Sequence, residues 1–153
     1  MVRTDTEFNY EIRKFNGEKD IENGLLDVLS QLTVSSTKEE ALAAFKKISQ
    51  QGISHIFVAI LPNEKVIGTA SLIETQRLIR GGAIVGHIED VVVDEKYRRR
   101  GVGTQLLQRC VDQAKDIKGC YKVILDARKK YVSFYENLGF LEKEVHMRLD
   151  LET

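Results

Sequence analysis

The chain has few cysteines and no excess of charge of either sign. Cys110 and Cys120 form no Cys-x-x-Cys pair and have no histidine at metal-ligand spacing, so no metal site is expected. Reduced thiols are typical of a cytoplasmic protein, which we expect this to be. Lysine plus arginine number 23, as do aspartate plus glutamate, which argues against nucleic acid or a membrane surface as the main partner.

Long apolar runs and flexible linkers are also missing. No segment approaches the roughly 18 apolar residues that a membrane span needs, and residues 1–7 contain acids and no apolar core of a targeting signal. There is no internal repeat, and the one proline, Pro62, falls in a predicted turn. We therefore expect one domain over residues 1–153, large enough to form a core without disulfides.

Hydrophobic periodicity predicts an α/β fold, with a mixed, twisted sheet of about six or seven strands and about four helices. The strands are predicted at 8–14, 55–60, 66–77, 83–93 and 121–125, the last of them buried, with one or two more in 140–151. The helices are predicted at 20–32, 37–49, 101–115 and 131–138. The second begins with a capping box at Thr37 and Glu40 and stops before Gly52.

A strand with adjacent carboxylates leads into a basic turn that opens a helix. Residues 86–93 read GHIEDVVV, and residues 98–104 read RRRGVGT. Free N–H groups at a helix start bind anions, and arginines add positive charge, although a solvated basic loop would look the same. The turn is neither a Walker A loop nor a complete G-x-G-x-x-G fingerprint. A kinase or a nicotinamide enzyme is therefore disfavoured, while a coenzyme with a pyrophosphate remains compatible.

Three segments in order carry a resemblance to a known family: GHIED (residues 86–90), CYKVILD (120–126) and FYENLGF (134–140). They resemble the glucosamine-6-phosphate N-acetyltransferase family of the GNAT superfamily, over about residues 25–148 and most strongly after residue 86. The resemblance implies a GNAT fold and transfer of the acetyl group of acetyl-CoA to the amine of D-glucosamine 6-phosphate. The transfer would occur by direct attack in a ternary complex, without a metal, as a step toward UDP-GlcNAc. It also implies a homodimer with sites at the subunit interface.

The resemblance also implies roles for individual residues. Glu89 and Asp90 would act as the acidic pair at the substrate amine, and the Tyr135 hydroxyl would donate to the departing thiolate of coenzyme A. Contacts to the coenzyme are expected from Val91, Val92, Val93, Arg98, Arg99, Arg100, Gly101, Val102, Gly103, Thr104 and Tyr131. Contacts to the sugar phosphate are expected from Thr33, His87, Glu89, Asp90, Lys122 and Asp126, and from Arg148 of a neighbouring subunit.

Each of these interpretations has an alternative. Adjacent residues of a strand face opposite sides, so Glu89 and Asp90 would share a site only if the strand carries a bulge, as in the superfamily. Such a bulge would also free a backbone N–H to polarise the acetyl carbonyl. His87 could equally be a strand histidine satisfied by backbone. The family commonly has Cys and Asn where this chain has Ala127 and Tyr131.

Two other functions share the predicted coenzyme site. One is an acetyltransferase for another small amine or a protein N-terminus, which needs no phosphate ligands such as Lys122 and Arg148. The other is a non-catalytic acyl-CoA-binding module, which would not need Glu89 or Tyr135.

Overall fold

The computed structural model describes residues 8–152, so the expectation about residues 1–7 lies outside the described part of the chain. One mixed sheet is formed, in the order β1-β2-β3-β4-β5, with antiparallel pairs as far as β4 and a parallel β4–β5 pair. Its strands are β1 (Glu11–Lys14), β2 (Ser54–Ile60), β3 (Val66–Gln76), β4 (Ile84–Val93) and β5 (Cys120–Leu125). The α/β class is confirmed, but the predicted strand count of six or seven is wrong for the described residues.

The α-helices are α1 (Gly17–Asp20), α2 (Leu26–Ser30), α3 (Lys38–Gln51), α4 (Val102–Asp116) and α5 (Val132–Glu136). The first two form one helical unit, interrupted by a distorted turn at Ile21–Leu25 in which Gly24 has φ +108°, a conformation that glycine adopts without strain. This unit corresponds to the helix predicted at 20–32, and the count of about four is met. The capping box before α3 and its Gly52 stop are also confirmed.

Two hydrophobic clusters cover the two faces of the sheet. On one face, α4 packs its predicted inner side against β2, β3 and β4, through Val102, Leu106, Leu107, Cys110 and Ala114. On the other face, α1, α2 and α3 cover a smaller cluster that includes Val58, Val66 and Val92. A Cβ on Gly68 would lie 3.1 Å from a methyl group of Leu106, so glycine lets α4 approach β3 closely. Both layers are therefore anchored on the central strands.

A buried ion pair fixes the start of the first helical unit. The Arg13 guanidinium donates to both carboxylate oxygens of Asp20 at 2.6 and 2.8 Å, and the Asn16 N–H donates to the same carboxylate. Burial of Asp20 raises the pKa of its carboxyl, but these hydrogen bonds and the Arg13 charge outweigh burial and hold the pKa below its usual range. The pair therefore joins β1 to α1.

The C-terminal segment differs from the prediction. Residues 140–152 form no strand, and four apolar side chains at alternate positions are 83–91% exposed: Val145, Met147, Leu149 and Leu151. Strand β5 is an edge strand with Tyr121 and Ile124 exposed, so the prediction that it is buried is wrong. Within residues 8–152 no strand pairs with its outer edge. The alternation that predicted a strand at 140–151 therefore lacks a sheet partner in this chain.

Among the helices of residues 8–152, none is both long enough and apolar enough to cross a membrane.

Candidate active site

A bulge in β4 lies beside its two acidic residues. Glu89 pairs with Ser71 and Val92 pairs with Thr69, so two residues of β4 lie opposite a single residue of β3 between these pairs. Within the bulge, Asp90 has φ +53°, in the left-handed region, which aspartate tolerates better than most side chains. The strand therefore contains the irregularity on which the proposed role of the acidic pair depends.

The bulge changes which face of the sheet the residues of β4 take. Three residues pack on the face covered by α4: Ile88, Val91 and Val93. Val92 packs on the opposite face, and Asp90 lines a cavity on that same face. Glu89 is paired with Ser71, which lines the same cavity. Both carboxylates therefore face the side of α1 to α3, which regular alternation would prevent.

The cavity next to Asp90 has a volume of about 190 Å³. It lies between the sheet and the helices α1 to α3, and its lining is apolar except for Ser36, Thr69, Ser71 and Asp90. Among the described residues that line it, Asp90 is the one with an ionisable side chain. The carboxylate therefore borders space into which part of an acceptor can enter.

Strands β4 and β5 separate next to the bulge. Their parallel pairing begins at Ile84 and ends at Ile88 opposite Leu125. Residues 89–93 continue β4 without a β5 partner in the described register. The backbone groups on this side of the strand are therefore available to a ligand that enters the gap.

The turn before α4 leaves several backbone N–H groups without a helical partner. Arg99 and Gly101 have φ +63° and +84°, and Gly101 caps the helix without a side-chain hydrogen bond. The first helical bond here runs from the Gln105 N–H to the Gly101 carbonyl at 3.1 Å, so the N–H groups of residues 102–104 have no partner within the helix. No acidic residue occurs in the first turn of α4. This geometry suits a phosphate or pyrophosphate.

The three arginines of this turn differ in their contacts. Arg98 donates from Nε to the Val93 carbonyl at 2.8 Å, so it ties the turn to the end of β4. Arg100 stacks over the Phe8 ring at 4.7 Å, while the Arg99 side chain is exposed. Val102 is buried and can reach a ligand only through its backbone.

Tyr135 lies on α5 and packs against the hydrophobic cluster beneath α4. Its ring meets the rings of Phe134 and Phe140 edge-on, with centroid separations of 5.1 and 6.1 Å, and all three residues pack against that cluster. Burial, and secondarily the neighbouring Tyr131, raise the pKa of the Tyr135 hydroxyl above its usual 10.0. The phenol therefore stays protonated and can donate a hydrogen bond. Tyr131 itself is exposed, with Lys130 over its ring.

Two carboxylates and two imidazoles form a cluster where β4 and β5 separate. His87 Nδ1 lies 3.4 Å from Glu89 Oε1, and His87 Nε2 lies 3.8 Å from Asp126 Oδ2. His146 Nδ1 contacts the other Asp126 oxygen at 3.2 Å. The structure thus brings together three predicted site residues and adds His146, which the sequence analysis missed. Its only signal there was its position two residues before Arg148.

The predicted phosphate ligands come from three separate segments. Lys122 pairs with Val85 and precedes Asp126 by four residues, roughly 13 Å along an extended strand. Thr33 is exposed in the turn after α2. Arg148 lies on the exposed C-terminal segment, where it contacts Asp150 at 2.6 Å. Among the described residues, no hydrogen bond or ion pair joins any of these three to another.

The described residues contain no grouped metal ligands, and both thiols lie away from the cluster. In the stretch from residue 8 to 152, no three His, Cys, Asp or Glu side chains are grouped so that they could hold a metal ion. Burial raises the pKa of the Cys110 thiol to about 12. Cys120 pairs with Ile84 at the far end of the β4–β5 ladder. Neither thiol lies among the acidic and imidazole groups of the cluster.

Comparisons with known proteins agree on one family. The model of the acetyltransferase (GNAT) family matches residues 24–140. Glucosamine 6-phosphate N-acetyltransferase from Trypanosoma brucei brucei is 50% identical over 90 residues, which cover 59% of this chain and 60% of that protein. The enzyme of that name from Arabidopsis thaliana is 35% identical over 143 residues, which cover 90% and 94%. A crystal structure of glucosamine-6-phosphate N-acetyltransferase from Arabidopsis thaliana superimposes with a TM-score of 0.88 at 33% identity, covering 94% of this chain and 99% of that one.

Proposed function

The chain belongs to the acetyltransferase (GNAT) family and, within it, to the glucosamine 6-phosphate N-acetyltransferases. From this we propose that it transfers the acetyl group of acetyl-CoA to the amine of D-glucosamine 6-phosphate. The products are N-acetyl-D-glucosamine 6-phosphate and coenzyme A. The observation that carries the proposal is the bulge in β4, which turns Glu89 and Asp90 to one side next to the gap between β4 and β5. We take residues 1–153 as one catalytic domain, since both core clusters share one sheet.

Acetyl-CoA would lie in the gap between β4 and β5, with its pyrophosphate at the turn before α4. The pyrophosphate would accept hydrogen bonds from the N–H groups of residues 102–104, with Arg99 and Arg100 adding positive charge. The acetyl carbonyl would accept a hydrogen bond from an unpaired backbone N–H within Val91–Val93. Tyr131 would contact the coenzyme through its exposed ring.

Chemistry at the amine requires loss of a proton, because an ammonium group has no lone pair to attack with. Glu89 and Asp90 would orient the ammonium group and accept its proton, directly or through water. The amine nitrogen then bonds to the acetyl carbon, the carbon–sulfur bond breaks, and the thiolate of coenzyme A leaves. The nitrogen, positively charged after the attack, gives up a second proton to water and becomes the amide. The Tyr135 hydroxyl, whose raised pKa keeps it protonated, would donate to that thiolate.

Recognition of the sugar phosphate would combine two subunits. Asp126 would bind sugar hydroxyls or the amine, and Lys122 and Thr33 would approach the phosphate. Arg148 of a neighbouring subunit would complete the phosphate site. The exposed apolar residues at alternate positions of the C-terminal segment and the unpaired edge of β5 support a homodimer, because a second copy can cover both. A cytoplasmic location is consistent with two free cysteines.

Release of coenzyme A thiol from acetyl-CoA tests the function. Turnover with glucosamine 6-phosphate is expected, and it should be lost with glucosamine, which lacks the phosphate, and with glucose 6-phosphate, which lacks the amine. Equal turnover with glucosamine would instead point to a different amine acceptor. The dimer is tested separately, by sedimentation and by Arg148→Ala, which should raise the KM for the sugar phosphate while the KM for acetyl-CoA stays constant.

A further inference from the structure

The two carboxylates on neighbouring parallel strands share one imidazole. His87 Nδ1 faces Glu89 on the same strand at 3.4 Å, and His87 Nε2 faces Asp126, just beyond the end of β5, at 3.8 Å. The three side chains are 27%, 45% and 55% exposed, so each is open to solvent on one side. Direct pairing of His87 with Ile124 in the β4–β5 ladder sets this arrangement in the backbone.

The two acids depend on His87 to different degrees. Among residues 8–152, Glu89 has no ion-pair contact other than His87. Asp126 has a second contact, with His146 of the C-terminal segment at 3.2 Å, which is shorter than its distance to His87. Loss of the His87 imidazole would therefore release Glu89 while Asp126 keeps a partner.

We propose that His87 is a positioning residue that holds Glu89 in place for the acceptor amine, with Asp126 as the fixed anchor on the other side of its ring. The inference rests on the proposed function, and it differs from the resemblance, which would place His87 in contact with the sugar. A glutamate side chain has three rotatable bonds, so a half-exposed one needs a neighbour to keep its carboxylate aimed at a reacting group. The ring approaches Glu89 through Nδ1 at 3.4 Å, and Asp126 lies 3.8 Å from Nε2 on its other side.

Substitutions at His87 can separate the two contacts. The amide nitrogen of asparagine can stand near the position of Nδ1, and that of glutamine near the position of Nε2. His87→Leu removes both contacts. It should lower kcat about ten- to a hundredfold, the range expected when a reacting group is misplaced by about 1 Å. His87→Asn should recover most of that loss and His87→Gln little of it. The KM for acetyl-CoA should stay within about twofold in all three.

His55 offers a matched control. It is also a strand histidine in contact with a carboxylate, Glu74, at 2.6 Å, and both side chains are 21% exposed. It pairs with Leu72 in the ladder, whose side chain belongs to the α4 cluster, so it lies on the opposite face of the sheet from the acids of the site. His55→Leu should leave kcat and both KM values unchanged.

Coenzyme A release by the full chain is the assay, and the melting temperature is measured for each variant. A kcat that is much higher for His87→Asn than for His87→Gln supports the inference, and this comparison stands even if His87→Leu fails to fold. Equal impairment of Asn and Gln, recovery by Gln alone, or a parallel rise in the KM for acetyl-CoA would assign His87 a merely structural role and overturn the inference. Wild-type protein without turnover on glucosamine 6-phosphate overturns the proposed function, and the inference with it.

Discussion

Asp90 carries both a strained backbone conformation and a candidate catalytic carboxylate, and substitution separates the two. At φ +53° an L-residue with a Cβ is strained, whereas glycine is not. Asp90→Ala and Asp90→Gly both remove the carboxylate, but only Ala keeps the Cβ. A left-handed residue costs roughly 1–2 kcal/mol, and the greater unfolded-state freedom of glycine offsets about 0.4–1 kcal/mol. Asp90→Gly should therefore be more stable than Asp90→Ala by about 1 kcal/mol.

Thermal and urea denaturation measure this difference. For a chain of this size, about 1 kcal/mol corresponds to roughly 2–4 °C in Tm. In the coenzyme A release assay, both variants should lose about a hundredfold or more in kcat, the usual contribution of a positioned acid–base group. Asp90→Asn tolerates the left-handed region and should lose activity while its Tm stays near that of the wild type. An Ala variant at least as stable as the Gly variant would refute the strained bulge, and near wild-type kcat in all three would refute the role at the amine.

Three further results are expected. Tyr135→Phe should lower kcat about a hundredfold with Tm nearly unchanged. Since burial raises the pKa of the Tyr135 hydroxyl above 10.0, any loss of its donation in the wild-type pH–rate profile should have its midpoint above pH 10. Arg13→Ala should lower the free energy of unfolding at pH 7 by about 3–5 kcal/mol in urea denaturation, because it leaves the Asp20 carboxylate buried without its cation. Because the pKa of Asp20 is lowered in the folded protein, the stability that the Arg13–Asp20 pair contributes is present above the ordinary pKa of aspartate and is lost as pH falls through the folded pKa. The difference in free energy of unfolding between wild type and Arg13→Ala should therefore shrink below pH 4. A difference that does not change with pH would contradict this. Native protein should react with a thiol reagent at Cys120 only and unfolded protein also at Cys110, since burial raises the pKa of Cys110 to about 12.

Local signals in the sequence predicted the parts of this fold that local interactions determine. The period of apolar residues identified the buried side of α4, and the capping box at Thr37 with Gly52 set the ends of α3 to within two residues. The basic turn before α4 was recognisable because N–H groups at a helix start and glycines with positive φ are properties of a few consecutive residues. Such features need no knowledge of the rest of the chain.

Features that depend on strand pairing were beyond the sequence alone. Nothing in residues 89–90 requires the bulge, which is a mismatch of register between β3 and β4; its expectation came from family resemblance. The contact between Asp126 and His146 joins segments 20 residues apart, one of them outside the sheet. The alternation in 140–151 predicted a strand, and that prediction is wrong for the described residues, where these apolar side chains are exposed. Alternation indicates a preference for a strand but cannot tell whether a partner strand lies in the same chain.

The same physical cause underlies the active site and the proposed dimer. Strand β4 loses β5 as a neighbour after Ile88, so the backbone groups of residues 89–93 that face β5 have no strand partner, while β3 still pairs on the other side. A backbone group that a bound ligand shields from water needs a hydrogen-bond partner. A thioester carbonyl can be that partner in the gap. Within residues 8–152, strand β5 has no neighbouring strand along its whole outer edge, where Ile124 is also exposed. A small ligand cannot supply hydrogen-bond partners for an entire strand. An extended segment with apolar residues at alternate positions can, and residues 145–151 of a second copy have that pattern.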